Sequence, residues 1–263
     1  FMLGIIISLL SASEMQLLTS YYTEITQQFF EPYANYDQIV EKGSNYFQLF
    51  PISSSLEESM EEEIENQLGQ PAIPALYISR HEDLVSVDIS YLVGMRIEDI
   101  PIMWEDLQLL TGRWPDSEYE CVVGFQKQHY QSINYFNQSF TVVGVLNEQF
   151  SYLDKTFLTH LDTLQTLTAN PEKVNVFYIS KDIENNPAAI KMFEENNPFL
   201  DVLTQKELEA VNGEVIQFSD KMARVLIFFT GLSALIFIFA LNLLSIHNRK
   251  KDFDIFYILG APK

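Results

Sequence analysis

The chain has 263 residues, 36 of them Asp or Glu against 16 Lys or Arg, for a formal net charge of −20. So acidic a chain repels phosphates and excludes nucleic acid as a partner, and its single cysteine, Cys121, excludes an intramolecular disulfide. The mean hydropathy of +0.01 is too low for a bundle of membrane helices and high for a purely soluble domain, as a large polar domain on a membrane anchor would give.

Residues 1–10, FMLGIIISLL, are apolar and uncharged but too short to cross a bilayer alone. They lack the basic start and clear cleavage site of a signal peptide, and are expected to be the outer end of a first transmembrane helix. From Ser13, Leu18, Tyr21 or Tyr22, Ile25 and Phe29 recur at three- and four-residue spacing, which predicts a stalk helix ended by Pro32. Residues 46–52, YFQLFPI, predict a short buried strand. Ser55 with Glu58 fits a capping box for a helix that places Leu56, Met60, Ile64 and Leu68 on one side. The glutamates at 57, 58, 61, 62, 63 and 65 read as its solvated face, because they lack the alternating ligands of a calcium loop. Gly69, Pro71 and Pro74 close that helix. Strands are predicted at 84–93, 120–123, 140–146 and 174–179. Helices are predicted at 103–110, stopped by Gly112, at 160–167, and at 188–195 between Pro187 and Pro198. A last helix starts at Gln205.

Residues 225–246 run for 22 positions without a charge. At a rise of ~1.5 Å per residue they cover roughly 33 Å, enough for a hydrocarbon core of ~30 Å. Arg249, Lys250 and Lys251 follow at once, and Lys and Arg are retained on the cytoplasmic side of a span. The tail is therefore expected inside the cell membrane and the acidic body outside it. The element order predicts an α+β extracytoplasmic domain of two lobes between transmembrane helices. Residues 1–10 would end the first span and 11–45 form the stalk and connection. Residues 46–80 with 171–212 would make a membrane-proximal α/β lobe, and 81–170 a distal β-rich lobe. Residues 213–246 would form the second stalk and span, and 247–263 a cytoplasmic segment.

A search for chemistry finds little. His81, His129, His160 and His247 form neither HExxH nor a zinc-spaced pair. There is no GxSxG elbow and no phosphate-cradling GxxxxGK[ST] loop, so no catalytic residue, metal or cofactor is assigned. His160 reads as a helix-surface residue, Cys121 as a small core residue, and Asp116, Glu118 and Glu120 as a turn entering a strand. Asn137-Gln138-Ser139 is a formal glycosylation sequon, and Trp104 and Trp114 read as core side chains. After the span, Phe253, Phe256, Tyr257 and Leu259 predict a short amphipathic helix ended by Gly260.

That last stretch resembles the MacB/FtsX/LolC-type permeases of ABC transporters, whose second span runs into a segment similar to E-R-x-x-E-I-G-I-L-R-A-L-G-A. Arg249, Ile255, Leu259, Gly260 and Ala261 match it directly and Asp252 keeps an acid, while Asn248, Asp254 and Tyr257 depart from it. Gly112-Arg113 followed by Glu120-Cys121-Val122-Val123-Gly124 is similar to the family's "GR … EVVLG" pattern, and Phe140-Thr141-Val142-Val143-Gly144-Val145 to its "F-x-VVGV" strand. The resemblance implies a permease subunit that transmits the work of a cytoplasmic ATP-binding subunit to its outer domain. It also implies a dimer with a second permease copy or paralogue in the lipid bilayer. Arg249, Asp252, Ile255, Phe256, Leu259, Gly260 and Ala261 would then couple to the ATPase. An outer domain between two spans is also the plan of ligand-sensing receptors, and the family includes regulators of cell-wall hydrolases similar to FtsX.

Overall fold

A computed structural model describes residues 31–47, 50–81, 89–204 and 206–208, and beyond them 221, 224–225, 227–229, 231–233 and 235–247. The expected first span, the stalk at 13–31 and the tail after His247 lie outside these residues, apart from Glu31. The chain divides into two units, of which the body is Gln27–Asn212. In the other unit the described residues form an apolar helix, Ile227–His247, long and apolar enough to cross a membrane.

The strands of the body are β1 (Tyr36–Glu41), β2 (Tyr46–Phe47), β3 (Phe50–Pro51), β4 (Leu56–Glu57), β5 (Ile73–His81), β6 (Ile89–Met95), β7 (Leu109–Gly112), β8 (Glu120–Val123), β9 (Ser132–Tyr135), β10 (Gln138–Leu146), β11 (Thr156–His160), β12 (Lys173–Val174), β13 (Val176–Ser180) and β14 (Leu200–Leu203). Its helices are α1 (Glu61–Leu68), α2 (Ile100–Met103), α3 (Leu161–Leu167) and α4 (Pro187–Asn196). Ten strands form one mixed sheet in the order β14-β1-β13-β5-β6-β11-β8-β10-β7, with β9 added to β10. Two pairs are parallel, β6 with β11 and β8 with β10.

The central strands β13, β11 and β8 are buried on both faces, which explains why they read as largely apolar runs, whereas β7, β9 and β10 leave positions exposed. In β13, Val176 and Tyr178 enter one core while Phe177 and Ile179 enter the other. The second core lies under α1, α3 and α4, which contribute Ile64, Leu161 and Leu164, and Phe193 respectively, while Ile100 and Met103 of α2 enter the first core. Aromatic side chains fill the first core. Tyr33 stacks on Tyr152 and Tyr178 with ring centroids 4.8 and 5.1 Å apart, and its hydroxyl lies 2.6 Å from that of Tyr77. Burial pushes the Tyr33 and Tyr178 hydroxyls well above the ordinary tyrosine range.

Several elements differ from the sequence reading, each for a local reason. The helix expected at 103–110 is the short turn α2 followed by strand β7, whose Leu109 and Thr111 pair with Leu146 and Val145 of β10. Pro74, expected to terminate a helix, sits inside β5 opposite Phe177. The neighbouring Ala75 oxygen and Tyr77 N–H face β13 through Asn175. Pro74 therefore faces the other way, where pairing with β6 starts only at Leu76, and no ladder bond is lost. The run expected as one strand at 46–52 is the small hairpin of β2 and β3. No capping box forms at Ser55, whose N–H donates to Glu41, and α1 starts only at Glu61 after a 3-10 turn. The glutamate run is not merely solvated either. Glu61 holds Arg96 through two bonds of 2.5 and 2.9 Å, and Arg96 also reaches Asp99 at 2.7 Å.

Candidate functional site

The residues expected to couple to an ATPase, Arg249, Asp252, Ile255, Phe256, Leu259, Gly260 and Ala261, lie outside the described residues. The two motifs at 112–124 and 140–145 lie within them, and the fold brings them together. β7 runs antiparallel to β10, which sets Gly112 opposite Gly144. A Cβ on Gly112, whose φ is +84°, would sit 2.2 Å from the Val143 carbonyl oxygen, and one on Gly144 would sit 2.6 Å from that of Arg113. Gly124 is equally confined, since its Cβ would lie 2.1 Å from the Leu153 oxygen. These positions require glycine because backbone meets backbone there.

The same corner fixes a charge network. Arg113 donates from both terminal nitrogens to Glu120, at 2.8 and 2.6 Å, and reaches Asp116 at 2.9 Å. Glu120 also accepts the Asp116 N–H at 3.1 Å. The Arg113 guanidinium, helped by that backbone bond, lowers the Glu120 carboxyl to about 2. The motif residues are thus framework: the arginine ties the turn at 113–120 to the start of β8. Cys121, beside them, is fully buried, and burial pushes its thiol up to about 12, which removes it as a nucleophile.

The framework shapes a cleft of about 250 Å³. One side is the turn Asp116, Ser117, Glu118 and Tyr119; the other is His160, Asp162, Thr163 and Thr166. The sides meet because β11 pairs antiparallel with β8, and Thr159 donates its hydroxyl to the Glu120 backbone carbonyl oxygen at 2.9 Å. His160 ends β11 and precedes α3 without capping it, rather than lying on a helix surface. Tyr119 holds a φ of +59°. A broader hollow of about 720 Å³ lies at Ile78, Ser79 and Asn134–Asn137, below the β9–β10 turn that carries the Asn137 sequon. Among the described residues no group of three or more His, Cys, Asp or Glu side chains is placed to hold a metal ion. Sequence reasoning treated 116–120 and 160 as unrelated surface positions, and strand pairing is what joins them.

No family model and no curated protein matches the chain. Among solved structures it is similar to the periplasmic region of MacB from Actinobacillus actinomycetemcomitans, at 12% identity over 69% of this chain and 92% of that one, with a TM-score of 0.45. It is also similar to the extracellular domain of the noncanonic ABC-type transporter YknZ from Gram-positive bacteria, at 14% identity over 65% of this chain and all of that one, with a TM-score of 0.45.

Proposed function

We propose that the chain is a permease subunit of a MacB-like ABC transporter, coupling ATP hydrolysis by a partner subunit to movement of its extracytoplasmic body. One observation carries the reading. The two motifs that resemble the family's outer domain, 28 residues apart at their starts, meet in one glycine-packed, ion-paired corner, and the body they belong to is followed by a membrane-length apolar helix. In this reading the half of the sheet formed by β14, β1, β13 and β5 is the membrane-proximal lobe, because both chain ends of the body leave from it. The half from β6 onward is the distal lobe. The subunit works as a dimer. The basic cluster Arg249, Lys250 and Lys251 holds the tail on the cytoplasmic side, where Arg249, Asp252, Ile255, Phe256, Leu259, Gly260 and Ala261 form the foot that meets the ATPase.

The test is co-purification of the chain with its ATPase from membranes, with ATPase activity measured in the complex. Leu259→Asp and Gly260→Val are expected to weaken co-purification and to uncouple ATP hydrolysis from transport, while the outer domain stays folded. Wild-type binding and transport in both variants would remove the foot from the mechanism.

A further inference from the structure

We propose that the cleft between the turn at 116–119 and the start of α3 binds an organic cation of the size of an arginine or lysine side chain. The proposal stands apart from the permease reading, since it uses only the body. Four observations carry it.

Two carboxylates at the cleft are uncommitted. Asp116 is already neutralised by Arg113, which also holds Glu120. Glu118 and Asp162 line the same space, and among the described residues neither carboxylate has a hydrogen-bond or ion-pair partner. Thr163 supplies a second kind of acceptor. It is only 5% exposed yet lines the cleft, and its hydroxyl has no hydrogen bond among the described residues. That hydroxyl is an acceptor open to a ligand donor. Tyr119 also lines the cleft, its ring in a T-shaped pair with Phe140 at a centroid distance of 5.7 Å, and aromatic rings attract cations. The volume of about 250 Å³ lies below the roughly 300–1,000 Å³ of sites for drug-sized molecules, so one side chain fits and a large molecule does not.

The chemistry of the lining selects among cations. The side chains do not gather as a metal-ligand set, whereas carboxylates, a hydroxyl and a ring suit the spread donors of a guanidinium or ammonium group. Among the described residues of the lining, His160 is the one basic side chain. The net charge of −20 draws cations toward the chain.

The experiment is isothermal titration of the whole chain in detergent with acetyl-Gly-Arg-Gly-amide, its citrulline counterpart and spermidine. The arginine peptide is expected to bind, and the uncharged citrulline peptide to bind about tenfold more weakly or not at all. The double variant Glu118→Gln with Asp162→Asn should weaken the arginine peptide about tenfold, and Thr163→Val about threefold. Both should keep the circular dichroism and melting temperature of the parent. If spermidine alone binds, with the same dependence on Glu118 and Asp162, the cation site stands and its source is a free polyamine. Equal affinity for arginine and citrulline peptides overturns the proposal. So does affinity unchanged in the folded double variant, or binding by neither cation. None of these results bears on Leu259 or Gly260, so the permease reading is judged separately.

Discussion

At the scale of single residues, the motif positions act through geometry. A methyl group on Gly124 would stand 2.1 Å from the Leu153 oxygen and 2.5 Å from that of Asp154, so the loop before β11 has to move. Gly124→Ala is expected to cost about 3 kcal/mol, read as a lowered urea midpoint with an unchanged slope. Glu120 gives a pH signature. Its carboxyl is lowered from an ordinary value near 4.5 to about 2, so the folded chain holds that proton less tightly than the unfolded one. The stabilisation from the Arg113 pair is complete above pH ~4.5 and is lost as pH falls toward 2. Urea midpoints of the parent and Glu120→Gln should therefore differ most above pH 5 and converge as pH approaches 2. A constant gap across that range would show that the pair does not control the difference.

At the scale of elements, α4 separates buried from exposed neighbours. Phe193 is 1% exposed against the sheet and Met192 57% exposed. Phe193→Ala should cost about 3–5 kcal/mol and Met192→Ala less than about 0.5 kcal/mol, both read from chemical denaturation. Elements with strong local punctuation were legible in the sequence. Strand β8 lies where the run at 120–123 placed it, and α4 is bounded by Asn186, which accepts from the Ala189 N–H, and by Pro187 at its first turn. Strand β5 was hidden by Pro74, whose harmless orientation depends on where a neighbouring strand begins. Strand β7 was hidden because Leu107, Leu109 and Leu110 also suit a helix, and only pairing with β10 decides between them. Of the corner, the residues were visible as a motif, but the Arg113–Glu120 pair and the contact between 116–119 and 160–166 arise from strand neighbours that no local pattern encodes.

At the scale of the whole molecule, topology is the property to test. A cysteine introduced as Lys263→Cys should resist membrane-impermeant maleimide in intact cells and react after permeabilisation. Background is low, because the native Cys121 is buried with its thiol pushed up to about 12. Labelling in intact cells would place the tail outside. The pairing of β1 with β14 has a mechanical consequence as well. Gln38 lies opposite Leu203 and Glu41 opposite Leu200, so the chain comes in and departs at one end of two adjoining strands. Tension that spread those two tethers sideways would open the seam like a zip, one rung at a time from Gln38–Leu203. Tension shared by both tethers along a common line would leave that seam unstressed and tow the sheet as a block. The body is robust to being hauled and weak against being torn open.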